Sequence, residues 1–390
     1  MINGARVRQA RELNRLTQAE LAHEVGVAQT TIAHIESARF QPAPELVRSL
    51  SMRLGVPETF FERIDPPQFP DGSLRFRGHA DLALVDKREA QRIVEVVFEA
   101  SALMAKRVRN KITLSIPQLS EEPMGAAEAA RFARGVLGLS PDAPIPNVIR
   151  LLEQSGVLVF ALPVRLEGRD AYSCWMGATT LWTATQVRRP VIVLSGGVPT
   201  DRLRFSAAHE LGHLVMHQVV HGTSKELEEE ANTFAAEFLM PEDSIREEIV
   251  PPVTLTELAA LKMRWRVSIQ ALVARAYELN IISKRQYNYL HEQLRARNWK
   301  TQEPVVLSPE KPRALRRMAE VVYGDPIDVP LFARDLDQFP HFVKRMVDCY
   351  ATKEEYTART TTGTPSADDL PPSPGSLDDA GNLVTFNKRF

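Results

Sequence analysis

Residues 209–213 read His-Glu-Leu-Gly-His, inside an apolar stretch (207–216) interrupted only by Gly212. On a helix, the 3.6-residue period places His209 and His213 on one face a single turn apart, so that both imidazoles reach one Zn²⁺. Glu210 is then rotated by about 100° beside them, where its carboxylate can take a proton from water. The chemistry this spacing serves is metal-assisted hydrolysis with a general base adjoining the ligands. The intact Glu210 speaks against a purely structural zinc site, which has no use for a base and fills all four positions with protein.

A catalytic zinc takes three protein ligands and keeps one position open. Downstream, Leu227, Ala231, Phe234, Ala235 and Phe238 recur at helical spacing, which predicts a helix with one buried face that stops near Pro241. Glu228 and Glu230 both flank that apolar stripe, while Glu229 points away from it. Periodicity leaves the choice between the two open. His217 and His221 lie beyond the motif, but the metzincin spacing would put a third His at Val219, so both are read as groups outside the ligand set.

The strings "RFSAAHELGH" and "EEEANTFAAEFLMP" resemble the ImmA/IrrE family of bacterial metallopeptidases. The resemblance implies that Glu230, immediately before Ala231 and Asn232, is the third metal ligand, with Glu228 as the alternative. It also implies a zinc-dependent endopeptidase on an α+β zincin-like domain. His209, His213 and Glu230 would hold Zn²⁺, and Glu210 would be the catalytic base that passes a proton to the leaving amine. Mn²⁺ suits the same donors, Zn²⁺ being the default for this spacing. Tyr172 and His217 are candidates for stabilising the oxyanion. The expected substrate is a partner protein, such as a repressor or antitoxin-like factor, cut in a stress or mobile-element response. The competing reading is a transcription regulator whose peptidase-like domain senses a ligand without proteolysis.

At the other end of the chain, Thr17-Gln18-Ala19-Glu20 is a capping box, which predicts a helix starting at Gln18. Leu21, Ala22, Val25, Gly26, Val27, Ile32 and Ile35 then fall where a helix-turn-helix needs core residues, a small crossing residue and a turn Gly. The recognition helix is predicted to start near Ala28. Gln29, Thr30, Thr31 and His34 would face base edges in the major groove, and Gln18 would bond a phosphate. The segment 6–61 resembles the XRE family, relatives of the lambda repressor and Cro, with Ala38 standing where that family usually has Gly. Residues 1–64 hold eight Arg, no Lys and seven Glu, so binding to double-stranded DNA would rest on few cations and on homodimerisation.

The elements that must position these groups fit a chain of 390 residues, 44% apolar, with two or three domains. Two cysteines, Cys174 and Cys349, argue against a disulfide scaffold and suit a reducing compartment. With no apolar run of membrane-spanning length and no signal-peptide pattern, a cytoplasmic protein is expected, without membrane association.

The predicted fold is mainly α with a small β-sheet. It comprises a lambda-repressor-like helix-turn-helix bundle (1–64), a linker and connecting helix (65–115) and an α+β metallopeptidase domain (116–300). A C-terminal helical segment (301–350) and a disordered tail (351–390) follow. Within the linker, 65–72 is turn-rich and 86–108 is helical, with Ile93, Val97, Ala100 and Met104 on one face. Segments 156–162, 171–176 and 190–194 read as strands ahead of the metal helix. Ser206 is expected to cap that helix.

Overall fold

The computed structural model describes residues 1–67, 84–108, 114–117, 119, 124–162, 170–177, 188–217 and 224–350. The tail beyond 350 and residues 68–72 of the linker lie outside the described residues.

The N-terminal bundle comprises α1 (Gly4–Leu13), α2 (Gln18–Glu24), α3 (Gln29–Glu36), α4 (Pro44–Leu54) and a 3-10 turn (Glu58–Glu62). Its boundaries follow from local chemistry. The Asn3 side chain accepts from the Ala5 N–H to cap α1, and both halves of the Thr17–Glu20 capping box form at α2. Between α2 and α3 the backbone turns at Gly26 with φ +72°, and Ala38 takes φ +58°, a left-handed conformation that costs an alanine more than the expected glycine. Val7, Ala10, Leu21, Ala22, Ile32, Ile35, Leu50 and Phe60 form the core of this bundle.

Helix α1 approaches α3 so closely that a Cβ on Gly4 would stand 2.1 Å from the Ile35 carbonyl oxygen. Backbone cannot yield as a side-chain tip does. Gly4→Ala is therefore expected to destabilise the bundle by about 1–3 kcal/mol, read as a lowered Tm in thermal denaturation. An unchanged Tm would contradict this approach.

Helix α5 (Leu84–Arg107) is two-faced. Ala90, Val94, Val97, Phe98 and Met104 enter an apolar core, while charged residues meet α1. Arg92 pairs with Glu12 at 2.7 Å, Glu95 accepts from Gln9 at 2.8 Å, and Glu99 pairs with Arg6 at 2.6 Å. Arg8 and Arg11 also approach the buried Glu12 carboxylate, at 3.0 and 3.7 Å. Burial works against ionisation of Glu12, but Arg92 and Arg8 outweigh it and hold its pKa below the usual carboxylate value. The helix predicted over 86–108 thus packs on both the bundle and the remainder of the chain.

Helices α6 (Ala126–Val136) and α7 (Val148–Gln154) precede a three-stranded sheet of β1 (Leu158–Ala161), β2 (Ala171–Gly177) and β3 (Arg188–Leu194). The order is β1-β3-β2, with β1 parallel and β2 antiparallel to β3, so β2 lies at an edge among the described residues. Strand alternation divides the sheet between two cores. Val159, Ala171, Ile192 and Leu194 face the core containing α8 (Thr200–Met216) and α9 (Ser224–Leu239). Phe160, Tyr172, Cys174, Met176, Val191 and Val193 face α5 from the opposite side.

Helices α10 (Glu242–Glu248), α11 (Leu255–Trp265), α12 (Ile269–Glu278) and α13 (Lys284–Ala296) extend the first core. Helices α14 (Ala314–Tyr323), α15 (Val329–Leu336) and α16 (Pro340–Asp348) join α5 in the second. Buried charges tie the C-terminal part to the sheet region. Glu310 pairs with the fully buried Arg204 and accepts from the Val148 N–H at 2.8 Å, satisfying the free end of α7. Glu153 accepts from the N–H groups of Arg313 and Ala314, both at 2.8 Å, doing the same for α14.

The expected fold class, mainly α with a small sheet, is the observed one. One local expectation fails. Ser206 does not cap the helix that carries His209 and His213, because α8 begins at Thr200, after Pro199. Leu203 and Arg204 are buried and Asp201 sits in the first turn, where the helix dipole favours a carboxylate. The start therefore lies nearly two turns upstream of Ser206.

Candidate metal centre and nucleic-acid interface

On α8 the helical period brings the His209 and His213 Nε2 atoms to 3.1 Å of each other. Helix α9 supplies a carboxylate. Glu228 Oε2 lies 3.3 Å from His209 Nε2, and its Oε1 lies 3.7 Å from His213 Nε2. The helices can cross this closely because Gly212 faces the Phe234 ring, where an added Cβ would stand 3.0 Å away. Zinc–nitrogen and zinc–oxygen bonds of about 2.0–2.2 Å in a tetrahedron place neighbouring donors roughly 3.3 Å apart. The spacing of the three donors and their chemistry fit one such ion.

The groups around these donors orient them. Asn232, one turn beyond Glu228, lies with Oδ1 3.0 Å from His209 Nδ1, which leaves Nε2 as the nitrogen facing the donor cluster. Burial opposes protonation of His209, but Glu228, Glu210 and Asn232 together raise its pKa above the usual imidazole value. On the other imidazole, His213 Nδ1 lies 2.8 Å from His217 Nδ1, and His217 Nε2 lies 2.9 Å from Glu230 Oε2. Glu210 is buried, and Ser173 on the edge strand β2 donates from Oγ to Glu210 Oε2 at 2.5 Å.

At the N-terminal end, Gln29, Thr30 and His34 of α3 are exposed and Thr31 is half-buried. A chain of polar side chains lies behind them. Arg11 donates to Glu36 Oε2 at 2.9 Å, Gln18 Nε2 donates to the same oxygen at 2.8 Å, and Gln29 Nε2 donates to Gln18 Oε1 at 2.8 Å. Gln29 is thus tethered through Gln18 and Glu36 to α1, which limits its rotamers.

Residues 7–61 match the family described as helix-turn-helix, and residues 152–277 match the peptidase family described as IrrE N-terminal-like domain. The chain joins these two domains. No curated protein matches it. The IrrE N-terminal-like segment contains the whole sheet, α8, α9 and every residue of the His209–His213–Glu228 cluster. The helix-turn-helix segment contains Gln18, Gln29, Thr30, Thr31 and His34. No helix among the described residues is long and apolar enough to cross a membrane.

Within the IrrE N-terminal-like domain, His209, His213 and Glu210 stand together, but Glu230 is not placed with them. It lies against His217, and Glu228 occupies the position beside the two imidazoles. Tyr172, a candidate for the oxyanion, lies in the core on the α5 side of the sheet, the face opposite to Ser173. Burial raises its hydroxyl pKa well above the usual value. His221 and Val219 fall outside the described residues. Sequence reasoning missed Ser173 and Asn232. Ser173 belongs to no motif, whereas Asn232 could have been found from its i, i+4 spacing to Glu228.

Proposed function

We propose that this protein is a DNA-binding regulator whose IrrE N-terminal-like domain is a zinc-dependent endopeptidase acting on a partner protein. The observation that carries this reading is the convergence of His209, His213 and Glu228 next to a buried Glu210. His209 and His213 would bind the ion through Nε2, and Glu228 through its carboxylate. A zinc ion held there supplies Lewis acidity, lowering the pKa of water and polarising a carbonyl. Glu210 takes the proton on its carboxylate and delivers it to the leaving amine. Ser173 orients that carboxylate through its hydrogen bond to Oε2. Strand β2, at the sheet edge among the described residues, offers main-chain groups to an extended peptide laid alongside it, the conformation that exposes a scissile bond.

We further propose that the partner is a repressor or an antitoxin-like protein, because a DNA-reading domain on the same chain suits gene control. Incubating zinc-loaded protein with lysate of the native host and mapping new termini tests both parts. Cleavage of a DNA-binding or antitoxin-like protein supports the reading. Absence of any new terminus, with zinc bound, refutes it in favour of a ligand sensor.

For the helix-turn-helix, Gln29→Ala is expected to weaken binding to the cognate operator by about 1–3 kcal/mol, and Thr31→Ala to relax base preference. Binding to unrelated duplex should change little. Mobility-shift titrations at fixed salt read both, and an equal loss on operator and unrelated DNA would remove these residues from base readout.

A further inference from the structure

Coordination through Nε2 requires that nitrogen to be unprotonated, so a neutral ligand imidazole carries its hydrogen on Nδ1 and must place it on an acceptor. Asn232 Oδ1 is that acceptor for His209, at 3.0 Å. His213 Nδ1 lies 2.8 Å from His217 Nδ1. Two ring nitrogens this close share one hydrogen. If His213 donates it, His217 Nδ1 accepts, and neutral His217 then carries its own hydrogen on Nε2. That atom points at Glu230 Oε2, 2.9 Å away. The donor and acceptor directions agree along the whole chain, from the Glu230 carboxylate to His213 Nε2.

We propose that His217 and Glu230 form an outer bracket of the metal centre that holds His213 in its ligating tautomer and fixes its ring. This rests on the reading of His209, His213 and Glu228 as metal ligands. His217 suits the task. It is the C-cap of α8, with its backbone N–H bonded to the His213 carbonyl, and its side chain is only 6% exposed. Helix α9 thereby supports both imidazoles: Asn232 holds one directly, and Glu230 holds the other through His217. The two supports differ in kind. His209 donates to a neutral amide, whereas His213 is linked through His217 to a carboxylate.

The test is zinc affinity of the full chain, by competition with a chromophoric chelator, together with the visible spectrum of the Co²⁺-loaded protein. Wild type should bind one zinc that Glu228→Ala loses, which checks the underlying metal site. His217→Ala should then weaken zinc about 10–100-fold and alter the cobalt bands, with unchanged circular dichroism. His217→Asn puts an amide oxygen where Nδ1 stood and should restore most of the affinity and the cobalt spectrum. Glu230→Gln should cost less than His217→Ala. Unchanged affinity and spectrum in His217→Ala, with wild type binding zinc, overturns the bracket alone. Loss of zinc in Glu230→Gln as complete as in His209→Ala overturns it by making Glu230 a ligand. A wild-type protein that binds no zinc overturns the bracket and the metal site together.

Discussion

Glu210→Gln should lower the rate of peptide cleavage by about two to four orders of magnitude while the protein still holds zinc. The substitution is isosteric, and an amide oxygen can still accept the hydrogen bond that Ser173 gives to the carboxylate. Burial of the site is likewise undisturbed. What disappears is the capacity to take a proton and return it. Rates of new-terminus formation by mass spectrometry, with zinc content measured on the same preparations, separate this outcome from unfolding. Cleavage persisting at wild-type rate would remove Glu210 from the chemistry.

Glu228→Ala should weaken zinc binding by more than the roughly 10–100-fold attached to outer supporting groups, whereas Glu230→Ala should fall within that range. The distances carry the distinction. Glu228 oxygens lie 3.3 and 3.7 Å from the two imidazole Nε2 atoms, while Glu230 lies 2.9 Å from His217. Removing Glu228 leaves two histidines, too few for a catalytic zinc. Removing Glu230 leaves all three donors and loosens one ring. Equilibrium competition against a chelator of known affinity gives both numbers, and the reverse ranking would return Glu230 to the ligand set.

The difference between these two carboxylates marks where sequence pattern runs out. Leu227, Ala231, Phe234, Ala235 and Phe238 told which face of α9 is buried, and that face is buried. Glu228 and Glu230 lie on either flank of it, and which flank meets the histidines depends on how α8 crosses α9, a tertiary fact set at Gly212 and Phe234. The His209–His213 pair was legible because its geometry lies within one helix. The helix-turn-helix was legible for the same reason, its caps, turn Gly and core spacing all being local.

Tyr172 and Ser173 show the limit for strands. A period of two separates their faces, but nothing in β2 alone tells which face meets α8. Ser206 lies inside α8 because the helix extends upstream of the apolar stretch that begins at Ala207. The buried Leu203 one turn earlier, and Asp201 before it, already belong to the helix. The ion pairs between α1 and α5 join residues some eighty positions apart, beyond the reach of any local pattern.

Counted in layers, the molecule is thinner than its two domains suggest. Helix α5 meets α1 with its charged side and shares an apolar core with the back of the sheet on the other, and Ser173 on the front of that sheet donates to Glu210. A displacement of the helix-turn-helix bundle therefore reaches the Glu210 carboxylate through one helix, about 10–12 Å across, the apolar core it shares with the sheet, and the sheet itself. The helix-turn-helix and the His209–Glu210–His213 motif share a single stack of supports.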